Sequence, residues 1–297
     1  MKGKNMTYTL LLGVAITFGH SCVRDKVQPC PPLQVNIEVK DKNYSNVDKV
    51  ALEEKLPEDL AFCKYIPTLY YMLRDAATGK VVEEQGVFKV DGDEKDFSIA
   101  FCDSLPHGKY VFTVWGGLDA QTPISDDHTV LTFHPNHTGG KDIYLTNDTL
   151  VYDAWNYAHT VRLERTKGKL IVQGINLPEE ISRTEKSIEG LYGKVDSRFN
   201  YSDATYVQTE YRWDNPVEIV TKTLLSPSPW QGGSKLNVNF HRTPQQENSD
   251  LIPKEVKITM KRNELTVLRY VYENEGDFSI YILVNDNWEE IHGMEID

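Results

Sequence analysis

"FSIAFCDSLPHGKYVFTVWGG", residues 97–117, decides the fold. Pro106, His107 and Gly108 supply a turn between two apolar runs. Beyond it Tyr110, Phe112 and Val114 fall on one side of the chain, and Trp115 closes the run before Gly116-Gly117. Alternation with a period of two is the mark of a β-strand with one face in a core.

The same grammar extends both ways. Upstream, "LQVNIEV" sets Leu33, Val35, Ile37 and Val39 against Gln34, Asn36 and Glu38, and "PTLYYMLRDAATGKVV" reads as a strand, a turn at Thr78-Gly79 and a returning strand. Downstream, "HTVRLERTKGKLIVQGI" reads as a hairpin turning at Lys167-Gly168, with alternating residues of "GKLIVQG" entering a second core. "KLNVNFHRT", "KEVKITMKR", "LTVLRYVY" and "DFSIYILVN" follow at strand-like lengths. Short strands rich in Val, Ile, Tyr and Thr, separated by polar turns, predict an all-β chain of sandwiches. Turn formers and aromatics crowd residues 145–158, which puts a domain boundary near 155. Helical spacing occurs in Ser45 to Leu60, where Val47, Val50, Leu52 and Leu56 predict one short connecting helix. "LLSPSPWQGGSK", Leu224 to Lys235, reads as a surface loop.

At the N-terminus, Lys2 and Lys4 precede an apolar segment of about a dozen residues, a signal peptide's length and short of the about 20 that span a bilayer. Cys22 follows Gly19-His20-Ser21 directly, the arrangement of a bacterial lipoprotein signal, although Gly19 stands where that signal usually has an aliphatic residue. The expected organisation is a signal peptide over 1–21, a first domain over 22–155 and a second over 156–297, with Cys22 as the lipid attachment point. Cleavage there would take the net charge from −12 to −14, because Lys2 and Lys4 leave with no acid. Such a chain repels phosphate backbones, so nucleic acid is not an expected partner.

Of the four cysteines, Cys63 and Cys102 both follow Ala-Phe in apolar surroundings. They read either as a buried disulfide in an oxidising envelope compartment or as two buried free thiols. No C-x-x-C spacing points to zinc or thiol redox chemistry. "DDHTVLTFHPNH" gathers Asp126, Asp127, His128, His134 and His137, yet H-x-x-H beside Pro135 is no helical ligand pair, and the stretch reads as a solvated loop. "DGDEKD" lacks the glycine and glutamate of a calcium loop and reads as a turn. No nucleophile elbow, phosphate loop or dinucleotide fingerprint occurs, so neither enzymatic activity nor a cofactor or metal is expected.

Taken together, Cys22, Cys30 followed by "LQVNIEV", "LPHGKYVFTVWGGLD" (Leu105 to Asp119) and "VRLERTKGKLIVQGINLPEEI" resemble the FimB/Mfa-like fimbrial anchor and accessory lipoproteins of Bacteroidetes-type (type V) fimbriae. The resemblance runs over the whole mature chain and implies two transthyretin-like β-sandwich domains after a lipoprotein signal peptide. It also implies a surface-exposed subunit, lipid-anchored in the outer membrane, that anchors or ends a fimbrium and joins its shaft subunits by strand donation. With the N-terminus tied to the membrane, the expected donor is the tail carrying Trp288, Ile291, Met294 and Ile296. Docking of that tail on its own domain is the alternative. A rival function, carbohydrate binding by an outer-membrane lipoprotein of glycan uptake, rests on the abundant aromatics and on Trp230 within its Pro/Gly loop.

Overall fold

The structure is a computed structural model, and it describes residues 31–291 apart from 103, 120, 215, 244–249, 274–275 and 285. Cys22, Cys30, Met294 and Ile296 lie outside the described residues. The strands run β1 (Gln34–Val39), β2 (Thr68–Asp75), β3 (Val81–Lys89), β4 (Phe97–Ala100), β5 (Gly108–Gly116), β6 (Val130–Thr132), β7 (Tyr144–Tyr152) and β8 (Ala158–Arg165) in the first half. The second half holds β9 (Gly168–Ile175), β10 (Ile181–Asp196), β11 (Tyr201–Arg212), β12 (Glu218–Leu225), β13 (Ser234–Arg242), β14 (Val256–Ile258), β15 (Leu265–Tyr272), β16 (Phe278–Val284) and β17 (Asn287–Glu290).

In the first sandwich the sheet order is β3-β2-β5-β7-β8-β1-β4, and the sheet folds over at the β7–β8 seam, where only Tyr144↔Arg165 and Leu145↔Glu164 pair. β1 runs parallel to β8 and antiparallel to β4. The alternation drives the packing: Val35 and Ile37 meet Tyr71, Leu73, Phe112 and Val114 in one core, so the predicted inward face of Tyr110, Phe112 and Val114 is borne out. The β2–β3 hairpin turns where expected, with the Asp75 carboxylate accepting from the amides of Ala77 and Thr78 and Gly79 at φ 71°. In the second sandwich β11-β10-β13-β14 faces β12-β9-β15-β16-β17 across a core that includes Leu170, Val172, Ile188, Leu236, Val238 and Tyr270. Leu170 and Val172 of "GKLIVQG" enter it as the alternation predicts.

Two further clusters lock the sandwiches together. The outer face of β2, β5 and β7 presents Tyr70, Met72, Trp115 and Leu145, and they are covered by Leu131 and Phe133 and by Val195, Phe199 and Tyr201 from the long β10–β11 hairpin of the second sandwich. β6 adds itself to β10 in the second sandwich's sheet, pairing Leu131 with Val195. On the other side, Tyr44, Val47 and Val50 from the β1–β2 connection lie on Ile171, Leu265 and Val267 of the second sandwich. Asn46 there mimics a strand residue, exchanging two side-chain hydrogen bonds with the backbone of Leu265 (2.9 and 2.8 Å).

Four sequence expectations change. The stretch "HTVRLERTKGKLIVQGI" is not a hairpin: β8 closes the first sandwich, β9 opens the second, and buried Thr166 and Lys167 are the crossover. Because β8 pairs with β1 and β7, the first sheet extends to Arg165, past the boundary expected at 155. The predicted helix shrinks to a 3-10 turn at Val47–Lys49, since its apolar residues are spent on covering a sheet. "DDHTVLTFHPNH" is no solvated loop, for it contains β6 and the buried Leu131, Phe133 and His134.

Candidate functional site

The sequence-predicted donor tail can be followed as far as Ile291, at the edge of the second sandwich. β17 is the last strand of its sheet among the described residues, and it folds back on β16 with Leu283 opposite Trp288 and Val284 opposite Asn287. The hairpin turns through Asp286 at φ 69°, a left-handed conformation that Asp tolerates. Trp288 lies on the outer face of the sheet, its ring 3.8 Å from the Arg269 guanidinium. Arg269 donates to Gln173 Oε1 (2.8 Å), and Gln173 in turn donates to Glu218 Oε1 (2.5 Å), so one polar row crosses the three neighbouring strands β12, β9 and β15 and ends under the indole. Ile291 points the other way, packs against the second core, and its N–H reaches the Ile280 carbonyl (2.8 Å). Of the four expected donor residues, Trp288 and Ile291 therefore complete the chain's own sheet in this structure.

The cysteine pair is not bridged. Cys63 is a free, half-buried thiol whose S–H reaches the Gly92 carbonyl (3.2 Å). Cys102 is exposed beyond β4, its sulfur 3.0 Å from Ser104 Oγ. Neither is buried as the Ala-Phe context suggested, because Cys63 sits on a one-turn helix at the sandwich rim.

The buried cations at the junction left little signal in the sequence. Arg165 is 4% exposed. It donates to Asp142 Oδ2 (2.8 Å), to Asn263 Oδ1 (2.7 Å) and to the Tyr144 hydroxyl, and its guanidinium lies over the Tyr44 ring (4.2 Å). Lys167 donates to the carbonyls of Gly139 and Lys141 (3.1 and 3.0 Å), and burial lowers its pKa to about 8. His134 donates through Nδ1 to the Thr138 carbonyl (2.6 Å) and accepts the Ser226 N–H at Nε2 (3.1 Å), a neutral tautomer fixed across the two sandwiches. Burial, and then the neighbouring Lys167 charge, push its pKa down to about 3. These side chains hold the two halves as one body. The signal of Arg165 and Lys167 was hidden in "RTKGK", which reads as a polar turn. Among the described residues no group of three or more His, Cys, Asp or Glu could hold a metal. Among the same residues no helix is long and apolar enough to cross a membrane.

Lys186 is buried inside the second sandwich with its ammonium on Thr223 Oγ1 (2.7 Å) and over the Tyr211 ring. Burial lowers its pKa to about 7. From the ordinary value of 10.5 down to about 7, the unfolded chain takes the proton and the folded chain does not, so native stability falls as pH falls through that window. Each pH unit there is worth at most about 1.4 kcal/mol. Lys186→Met is expected to raise the urea midpoint at pH 7 and to flatten the rise in stability between pH 7 and 10. An unchanged pH profile would show that Lys186 is solvated.

A scan against protein-family models matches nothing, and a search of curated proteins finds no relative. Among solved structures, an adhesin candidate from Bacteroides ovatus superposes over 92% of this chain and 98% of its own (TM-score 0.60, 12% identity). The fimbrial anchor protein Mfa2 from Porphyromonas gingivalis does so over 86% and 98% (TM-score 0.51, 13% identity). A polysaccharide-binding candidate from Bacteroides thetaiotaomicron covers 88% and 98% (TM-score 0.55, 11% identity). At these identities the likeness is one of fold. The chain has the two-sandwich fold found in Bacteroidetes adhesin and fimbrial proteins, as the resemblance read from its sequence implies.

Proposed function

We propose that this protein is an outer-membrane lipoprotein, held by acyl chains on Cys22, that anchors or terminates a fimbrium. The observation that carries this reading is the end-to-end match of the two interlocked sandwiches to a fimbrial anchor, spanning 98% of that chain. Force on a fimbrium would pass from the shaft through the body to the lipid. A body clamped by two interdomain clusters and by Arg165, Lys167 and His134 suits that load.

The shaft joins by strand donation at the β17 edge, where the chain continues from Ile291 towards Met294 and Ile296. Backbone pairing supplies affinity and alternating side chains supply register. Deleting Gly293 to Asp297 is expected to leave a folded, membrane-bound protein that no longer co-purifies with shaft subunits in mild detergent. Undiminished co-purification would exclude the tail as the donor.

A further inference from the structure

A cleft of about 840 Å³ opens between the β1–β2 connection, the loop before β13 and the β16–β17 turn. Its rim carries Trp230, 67% exposed. Leaving a large aromatic face in water forgoes the gain of burying it, and among the described residues no ring, cation or hydrogen-bond partner engages this indole. The loop nevertheless holds it in one place. Ser228 exchanges hydrogen bonds with the backbone of Met260 (2.9 and 2.8 Å), and the Ser228 hydroxyl meets that of fully buried Ser234 (2.6 Å). Gly232 donates to Thr259 Oγ1 (2.7 Å), and Gly233 donates to the Trp230 carbonyl (3.0 Å). Gly233 passes so close to that carbonyl that a Cβ would stand 2.8 Å from it, so the loop tolerates no larger residue there. The result is a flat apolar platform set in advance beside a cavity, with little ordering left to do on binding.

The other groups facing the cleft select the ligand. Of its three cations, Arg262 is engaged by Glu164 (2.7 Å) and Lys261 by Glu264 (3.5 Å), which leaves the Lys49 ammonium exposed and open. The Gln231 amide and the Asp286 carboxylate are exposed at the same rim. One aromatic face ringed by an amide, a carboxylate and an ammonium matches a ring with one C–H face and a belt of hydroxyls, which donate to the carboxylate and accept from the other two. A nucleotide fits less well, because a single open cation offers its phosphates no cradle in a chain of net charge −12. We infer that the Trp230 cleft binds a saccharide, the pyranose ring lying on the indole and its hydroxyls reaching Gln231, Asp286 and Lys49.

The test uses the full chain in detergent on an array of immobilised oligosaccharides spanning gluco-, galacto-, manno- and xylo-configured chains with and without acidic sugars. Binding to at least one class is expected, with apparent affinity falling at least tenfold in Trp230→Ala and partly kept in Trp230→Phe. Trp155→Ala, which removes an indole 89% exposed at the β7–β8 turn, should bind as the parent does. Thermal melting of Trp230→Ala should match the parent, so a loss of binding cannot be a loss of fold. The inference is overturned if no oligosaccharide binds, or if Trp230→Ala binds unchanged. It is also overturned if that variant loses shaft subunits while no glycan binds, which would make the cleft a protein contact.

Discussion

Arg165→Leu is expected to destabilise the protein by about 3–5 kcal/mol, the cost of breaking a buried ion pair by removing one partner. The reason is where the guanidinium sits. Arg165 ends the last strand of the first sandwich, Asn263 belongs to the loop that enters β15 of the second, and Tyr44 comes from the connection lying on that second sandwich. One planar group thus satisfies Asp142, Asn263 and Tyr144 and stacks between the Tyr44 and Tyr144 rings, while the Arg165 backbone N–H reaches Asp41 (2.7 Å). Leucine fills part of the volume but leaves the Asp142 carboxylate, whose Oδ1 already has no hydrogen-bond partner, without its cation. Guanidinium unfolding followed by tryptophan fluorescence measures the loss. Arg165→Lys should fall between the two, keeping the charge but not the fork. A loss below about 1 kcal/mol would mean that the junction is held by its apolar clusters alone.

Cys22→Ala should move the protein almost entirely from the membrane pellet to the soluble fraction, or stall it with the signal uncleaved. A diacylglycerol thioether with a further acyl chain gives stable anchoring where one chain gives only marginal binding. No basic amphipathic stretch follows residue 22 and the net charge is −12, so electrostatic attraction to an anionic leaflet is no substitute. Detergent-phase partitioning of the parent and the variant measures this directly. Equal partitioning would rule out Cys22 as the anchor.

What could be read from the sequence was what alternation encodes. Val35 and Ile37 announce their inward face because their neighbours Gln34, Asn36 and Glu38 are polar. Trp115, Tyr70 and Leu145 lie on strands buried on both faces, where alternation disappears and the second layer cannot be inferred from the pattern. "RTKGK" misled for a related reason. A short polar link between two strands looks the same whether the strands pair or part into different sheets, and only the burial of Lys167 tells them apart. The β10–β11 hairpin carries a register shift between Glu189 and Leu191 with Gly190 at φ 72°, a bulge that interrupts the alternation. Of the candidate site, Trp230 was legible as an aromatic among turn formers. Its polar neighbours Lys49 and Asp286 come from distant segments that only the fold brings together.

If, as proposed, fimbriae are held to the cell through acyl chains on Cys22, the direct measurement is the share of fimbriae that stay on cells whose only copy carries Cys22→Ala. Fimbriae are then expected to assemble but be shed into the medium, and the parent copy to restore them to the cell surface. Fimbriae that stay on the cells at parental density, while the Cys22→Ala protein is soluble, would rule out this protein as their anchor.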